Sequence, residues 1–336
     1  MIKEPIRVVQ YGLGPIGAGI ARLVSERPGM MLVGAVDIDP DKVGKYVAQV
    51  IGLGETSGVR VSAHLEAALA TAPADVAFHA TGSSLKMVMP QLEACIRAGL
   101  NVVSTCEELA YPAAQYPDLA RELDSLASQH GVTVLGTGIN PGFAMDVLAL
   151  FMSGVCQQVE RVSIKRTLDA SARRLPLQKK IGAGLSVPEF QQLVQAKAVR
   201  HVGLIESAAM LADGLGWTVD RFEDMIEPVV ADRILRSEYL EVQPGHVAGV
   251  HQVARGFIGD REALALDLTM ALQAENPGDF VKIKGKPNIE VAIKGIHGDL
   301  STAAVVVNAA PRVIQAKPGL LTMKDIAIPC YWSSSL

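Results

Sequence analysis

Residues 8–20 read Val-Val-Gln-Tyr-Gly-Leu-Gly-Pro-Ile-Gly-Ala-Gly-Ile, which sets Gly12, Gly14 and Gly17 in the spacing G-x-G-x-x-G. Three glycines alone make only a tight turn. Here an apolar stretch, 6–9, leads in, and a helical pattern at Ile16, Ile20, Leu23 and Val24 leads out. Asp37 closes the next apolar run, twenty residues beyond Gly17. In a strand–turn–helix unit Gly12 lets the chain turn, Gly14 admits a pyrophosphate to the backbone, and Gly17 lets helix and strand close on each other. The phosphates meet unpaired amides and the positive end of the helix dipole. The turn, with Leu13, Pro15 and Ile16 between its glycines, is therefore predicted to hold a dinucleotide. Asp37 is predicted to accept the adenosine ribose hydroxyls, and its charge repels a 2′-phosphate, so NAD is expected ahead of NADP. Asp39 precedes Pro40 and reads instead as a helix cap. Lys42 and Lys45 soften the discrimination, which leaves NADP open.

The alternation of strand and helix continues to about residue 140. Apolar strand segments fall at 8–11, 31–36, 59–63, 76–80, 102–105 and 133–136. Amphipathic stretches separate them, such as 84–98 with Met87, Val88, Leu92, Cys95 and Ile96 read as inward. This order gives parallel strands with right-handed crossovers, an α/β class with a Rossmann-type doubly wound parallel sheet. Apolar residues make up 49% of the chain and aromatics only 4%, which suits the aliphatic core of such a sheet.

Beyond residue 146 the rhythm changes. A strand at 159–167, helices at 187–199 and 204–215, and strands at 227–234, 242–253, 264–272 and 281–296 predict an α+β domain with a mixed or antiparallel sheet. The expected division is a dinucleotide-binding domain, 1–140, and a substrate-binding and dimerisation domain, 141–300. A helix at 301–316, kinked or broken at Pro311, is expected to pack back on the nucleotide domain with the rest of 301–336. The end, 333–336, is expected to fray.

Composition removes several function classes. The net charge is −4 without a basic run, which argues against nucleic acid. No apolar run reaches membrane length, and the charged, proline-containing start does not read as a signal peptide. Four scattered cysteines suit a reduced, cytoplasmic setting. The histidines lack metal-ligand spacing, so no metal is expected; His79, in an apolar strand, reads as a core histidine.

Ligands of doubly wound sheets bind outside the carboxyl ends of the strands. Three strand exits therefore matter. Thr81, Gly82 and Ser83 follow 76–80 and are small enough to let backbone approach a cofactor; Ser83 or Ser84 reads equally as a helix cap. Glu107 and Glu108 follow 102–105. A carboxylate there can hold an ammonium or iminium ion and exchange protons with it. Adjacent residues point apart, and Glu108 is read as facing the nicotinamide, with Glu107 more exposed. The alternative is charge complementation at a helix start. After 133–136, Asn140 offers an amide to the nicotinamide or substrate, and Phe143 and Met145 offer apolar walls; a backbone turn explains Asn140-Pro-Gly equally well.

The segments Gln10-Tyr-Gly-Leu-Gly-Pro-Ile-Gly17, Ser104-Thr-Cys-Glu-Glu-Leu109, Gly136-Thr-Gly-Ile-Asn-Pro-Gly-Phe143 and Ala316-Lys-Pro-Gly-Leu-Leu-Thr-Met-Lys-Asp325 resemble the 2,4-diaminopentanoate dehydrogenase family. That family includes the native amine dehydrogenases and falls in the dihydrodipicolinate reductase-like group. The resemblance implies NAD(P)-dependent oxidative deamination of a primary amine, or reductive amination of a ketone or aldehyde with ammonia. It implies Glu108 as the catalytic carboxylate, with Glu107 next in line. It also implies that 173–184 lines the substrate site, where Leu175, Leu177 and Ile181 read as an apolar wall; His201 is a weaker substrate-side reading. A diamino acid substrate would need a cation for its carboxylate, from Arg166, Arg173 or Arg174. The His-His segment and Ala-Pro-Ser-Gly-Thr run of a true dihydrodipicolinate reductase are absent. A NAD-sensing protein without catalysis is the reading from another class.

Overall fold

The computed structural model describes residues 5–54 and 58–333. Apart from Ser333, the segment expected to fray lies outside the described residues. Two compact units result, one running to Phe143 and resuming at His297, the other spanning Ala144–Ile296.

In the first unit, β1 (Ile6–Tyr11), α1 (Pro15–Glu26), β2 (Met30–Val36), α2 (Val47–Ile51), β3 (Val61–Ser62), α3 (Leu65–Leu69), β4 (Val76–His79), α4 (Leu85–Arg97), β5 (Asn101–Ser104), α5 (Pro117–Gln129) and β6 (Thr133–Gly136) alternate along the chain. The sheet order is Gly319–Leu321, β6, β5, β4, β1, β2, β3, and every pairing is parallel. The chain leaves β1 towards β2 on one side and enters β4 on the other, so the switch point lies between β1 and β4, where such sheets bind ligands. Val8, Val9, Val76, Ala77, Val102 and Val103 are wholly buried, as expected of strands covered on both faces.

Several local readings change. The strand read at 59–63 shortens to two residues, because Arg60 pairs antiparallel with Tyr46 instead of extending the sheet. Met87, read as inward, is 77% exposed; Leu85, Val88, Met89, Leu92, Cys95 and Ile96 form the buried face of α4. The C-terminal helix, Gly298–Ile314, runs through Pro311 without breaking. Pro311 lies in the last turn, where little helix remains to disturb, and buried Val306, Val307, Ala310 and Val313 hold the helix around it. The strand Gly319–Leu321, three residues too short for any periodic signal, pairs in parallel with β6 from Gly319 against Thr133.

The second unit holds α6 (Val147–Ser153), β7 (Gln158–Asp169), α7 (Leu175–Lys180), α8 (Val187–Gln195), α9 (Leu204–Gly214), β8 (Arg221–Val230), β9 (Leu235–Arg236), β10 (Glu241–Val242), β11 (Val247–Ile258), β12 (Arg261–Ala271), β13 (Gly278–Lys286) and β14 (Ile289–Ile293). Six of these strands form one sheet in the order β14, β13, β7, β12, β11, β8. Only β7 and β12 run parallel, so the sheet is mixed. The segment 242–253 splits at Pro244-Gly245, where Gly245 has φ +84°. The segment 281–296 folds into the β13–β14 hairpin around Pro287-Asn288. The strand read at 227–234 begins earlier, because 221–226 already pairs with β11.

Candidate active site

Two glycines of the 12–17 turn are demanded by packing. A Cβ on Gly17 would fall 1.9 Å from the Gly12 carbonyl, and one on Gly12 (φ +88°) would fall 2.5 Å from the Ala80 carbonyl. Gly14 differs. It sits at the N-cap of α1 with φ −64°, and a Cβ there would meet nothing within 4 Å. No side chain caps α1, and Pro15 supplies its first residue. Amides and open space therefore coincide at Gly14, the arrangement a pyrophosphate needs. A dinucleotide fits these residues.

Asp37, 9% exposed, is tied to the same turn. Its Oδ2 accepts the Leu13 amide at 2.7 Å, its Oδ1 accepts the Asp39 amide at 2.9 Å, and Lys42 Nζ lies 3.3 Å away. Burial pushes the carboxyl up, but the Asp39 and Leu13 amides and the Lys42 ammonium outweigh it and hold it below the usual carboxylate range. Asp39 also engages Lys42, at 3.2 Å, and its own Oδ1 accepts the Asp41 amide.

The exits of β4 and β5 are joined. Glu108 donates its amide to the Ser83 carbonyl at 3.3 Å, and Cys106 Sγ lies 3.2 Å from the same oxygen. Glu108 is 4% exposed: its Oε2 accepts the amide of Leu85, first residue of α4, at 2.8 Å, and its Oε1 accepts the Tyr116 hydroxyl at 3.4 Å. Glu107 is half-buried. Both lie in a single 3-10 turn, Glu107–Leu109. Ser84 stands at the N-cap of α4 without a side-chain cap bond, so a carboxylate from another strand exit does what a serine was read as able to do. Thr81 and Gly82 are exposed and Ser83 is half-buried beside this junction.

After β6, Asn140 and Phe143 are half-buried, and a Cβ on Gly142 (φ +119°) would fall 2.5 Å from the Gly138 amide. The glycine thus has a backbone reason of its own.

The remaining residues read from the sequence as substrate-side belong to the second unit. Met145 is wholly buried beside Asp146, which caps α6 through the Val147 amide at 2.6 Å and accepts the Ser207 hydroxyl at 2.7 Å. Leu177 is half-buried and Ile181 1% exposed, in and just after α7, a helix not foreseen in 173–184. The buried side chain of Gln178, which sequence reasoning passed over, donates to the carbonyls of Ala170, Ser171 and Arg173 at 2.8–3.2 Å. A glutamine inside a basic segment gives no outward signal of that role. His201 is half-buried, and the Gln252 side chain holds both its backbone amide (2.7 Å) and its carbonyl (3.2 Å).

Arg166 requires a correction. It is 1% exposed, and its guanidinium pairs with Asp279, its register partner on β13. Burial disfavours the charge on both groups and their mutual attraction opposes it, so this guanidinium is committed to a buried pair. Among the described residues no three His, Cys, Asp or Glu side chains cluster as a metal site, and no helix is long and apolar enough to cross a membrane.

A parallel sheet with an open glycine turn, an ionised acid tied to that turn and a carboxylate at the neighbouring strand exits is the arrangement that a nucleotide-dependent dehydrogenase needs. Residues 143–336 match the 2,4-diaminopentanoate dehydrogenase C-terminal domain, and 6–107 match the dihydrodipicolinate reductase N-terminus. The chain is 34% identical to 2,4-diaminopentanoate dehydrogenase of Acetoanaerobium sticklandii, over 97% of this chain and 94% of that protein. It is 21% identical to an amine dehydrogenase of Streptomyces virginiae, over 96% of each. The solved structure of amine dehydrogenase from Mycobacterium smegmatis superposes with a TM-score of 0.86 at 28% identity, covering 98% of each chain. The chain belongs to the 2,4-diaminopentanoate dehydrogenase family and is an NAD(P)-dependent oxidoreductase of the amine dehydrogenase type.

Proposed function

We propose that this enzyme interconverts a primary amine with a ketone or aldehyde and ammonia, using NAD in preference to NADP, and that Glu108 is its acid/base. One observation carries the assignment: the buried Glu108 carboxylate is held by the Leu85 amide at the junction of the β4 and β5 exits, on the sheet that carries the nucleotide turn. The nicotinamide supplies or takes the hydride when bound. Gly12, Leu13, Gly14, Pro15, Ile16 and Gly17 hold the pyrophosphate, Asp37 the ribose, and Thr81, Gly82, Ser83 and Asn140 the nicotinamide end.

In the aminating direction Glu108 binds ammonium through charge-assisted hydrogen bonds and takes a proton, so that neutral nitrogen attacks the carbonyl carbon. The protonated acid returns that proton to the departing hydroxyl, which leaves as water. The carboxylate then faces an iminium cation and stabilises it in a site shielded from solvent. Phe143 of the first unit, and Met145, Leu177, Ile181 and His201 of the second, are assigned to substrate binding. The test is NADH oxidation with ammonia and a panel of ketones and aldehydes, with and without carboxylates. Ammonia-dependent turnover supports the reading, and its absence across the panel overturns it.

The likeness to 2,4-diaminopentanoate dehydrogenase favours a second reading, a diamino acid substrate whose carboxylate meets Arg173 or Arg174. A strong preference for carboxylate-bearing substrates would select it. The mixed sheet of 150–300 carries exposed Met225 and Phe280, each 36% exposed, which supports a homodimer through that sheet; sedimentation at micromolar concentration tests it. The four cysteines are free, which supports a cytoplasmic setting.

A further inference from the structure

A second link joins the exits of β4 and β5, separate from the Glu108 carboxylate. His79, the last residue of β4, is wholly buried, with Nδ1 2.8 Å from the hydroxyl of Ser104, the last residue of β5. Its Nε2 lies 2.8 Å from Gln91 Oε1 on α4 and 2.9 Å from the Thr81 hydroxyl. Thr81 donates to the same Gln91 oxygen at 2.6 Å, and Ser104 Oγ accepts the Cys106 amide at 3.1 Å.

With Gln91 turned so that its Oε1 faces the ring, the donors and acceptors of this chain run in one direction. With Nε2 protonated, Gln91 Oε1 accepts from both Thr81 and the ring. Nδ1 is then a lone pair, and the Ser104 hydroxyl donates to it while accepting from Cys106. Every polar atom from Thr81 to the Cys106 amide has one consistent role, and the ring between them is neutral. A second proton on the ring would set N–H against the Ser104 hydroxyl and force it to turn away. Burial, pushing the imidazole down to about 4, acts in the same sense.

We infer that His79 is a positioning residue: as the neutral Nε2–H tautomer it sets the Thr81 turn on one side and the Cys106–Glu108 turn on the other from a single rigid ring. This rests on the reading of those two turns as the cofactor and acid/base sides of the active site. Misplacing a reacting group by ~1 Å can cost about 10²-fold in rate, so one ring registering both turns has kinetic weight.

Two conservative substitutions separate the two links. In His79→Asn the amide oxygen stands near Nδ1 and still accepts from Ser104, while the donor to Gln91 is lost. In His79→Gln the amide nitrogen stands near Nε2 and still donates to Gln91, while the acceptor for Ser104 is lost. We expect His79→Asn to raise the KM and dissociation constant for NADH about tenfold with kcat within about twofold, and His79→Gln to lower kcat about tenfold with NADH affinity near wild type. Gln91→Leu should follow the first pattern and Ser104→Ala the second, which keeps the test in hand should the histidine variants fold poorly. Nitrogen-15 NMR of the wild type should show Nε2 protonated and Nδ1 bare at neutral pH.

An Nδ1–H tautomer overturns the proposal. So do unchanged kinetics, or equal losses in all variants that merely track their melting temperatures. If the wild type aminates no carbonyl compound, the functional reading fails, while the tautomer and the NADH dissociation constants still decide the role of His79.

Discussion

The Glu108 carboxylate accepts the Leu85 amide at 2.8 Å across twenty-three positions of sequence. One side chain thus closes the start of α4 and locks the exit of β5 to that of β4. The same oxygen pair is the proposed acid/base, so structure and chemistry meet in a single carboxylate, and substitutions can separate them.

Glu108→Gln keeps an oxygen for the Leu85 amide and loses the titrating group. Amination should fall by ~10²–10⁴ while NADH affinity and melting temperature stay near wild type. Glu108→Ala should lose the activity and in addition ~1–3 kcal/mol of stability, because the Leu85 amide loses a charged acceptor. Glu107→Ala is the control and should be mild. Steady-state kinetics with urea melts check all three; an inactive Glu107→Ala beside an active Glu108→Gln would reverse the two roles.

Asp37→Ala should narrow or reverse the preference for NADH over NADPH, read from the two dissociation constants, since the ribose acceptor and the charge against a phosphate go together. Equal affinities in the wild type would contradict the role given to Asp37. The carboxyl is held below its ordinary value of 3.8, so its ionised form persists as pH falls past that value. A lowered folded-state value means the contribution is present above the unfolded value and is lost as pH falls through the folded one. NADH affinity should accordingly be flat down to about pH 5 and weaken only below the ordinary carboxyl range.

Gly14 and Gly17 should fail differently. A Cβ on Gly14 meets nothing within 4 Å, so Gly14→Val should fold with a near-native melting temperature yet lose NADH binding. Gly17→Ala places a Cβ 1.9 Å from the Gly12 carbonyl and should destabilise the protein itself. Retained affinity in Gly14→Val would show that the phosphates lie elsewhere.

Arg166→Met strands Asp279 in a buried position and should cost ~3–5 kcal/mol in urea unfolding. Arg166→Met combined with Asp279→Leu should recover much of that loss, because no uncompensated charge remains. If instead the single variant is as stable as wild type and loses only affinity for carboxylate substrates, the arginine faces substrate after all.

Legibility followed the range of the interactions. The turn at Gly12, Gly14 and Gly17 was readable because strand, turn and helix are contiguous, and the steric demand on Gly17 arises from Gly12 within the turn itself. Long strand–helix alternation announced the parallel sheet. The hairpin at Pro287-Asn288 and the break at Pro244-Gly245 were misread because one apolar run is compatible with one strand or two until neighbouring strands choose between them, and Met87 because it borders the apolar stripe of α4, whose packing leaves it outside. Pro311 looked like a break because its cost is local, whereas the packing that tolerates it is not.

The sequence by itself determined the fold class, the glycine turn between strand and helix and the acid that closes the next strand, since spacing and periodicity encode them directly. Only the tertiary structure decided which groups those motifs would hold. It committed Arg166 to Asp279 across two strands, tied Asp37 to the Leu13 amide, and brought Glu108 to the start of α4 and His79 between Gln91 and Ser104. These partners are distant in sequence and carry no periodic signature. Arg166 and Asp279 meet because antiparallel pairing sets them opposite each other; the other pairs exist only once parallel strands bring their carboxyl ends to one edge, where a buried polar group must find its hydrogen bonds among whatever the other strands supply.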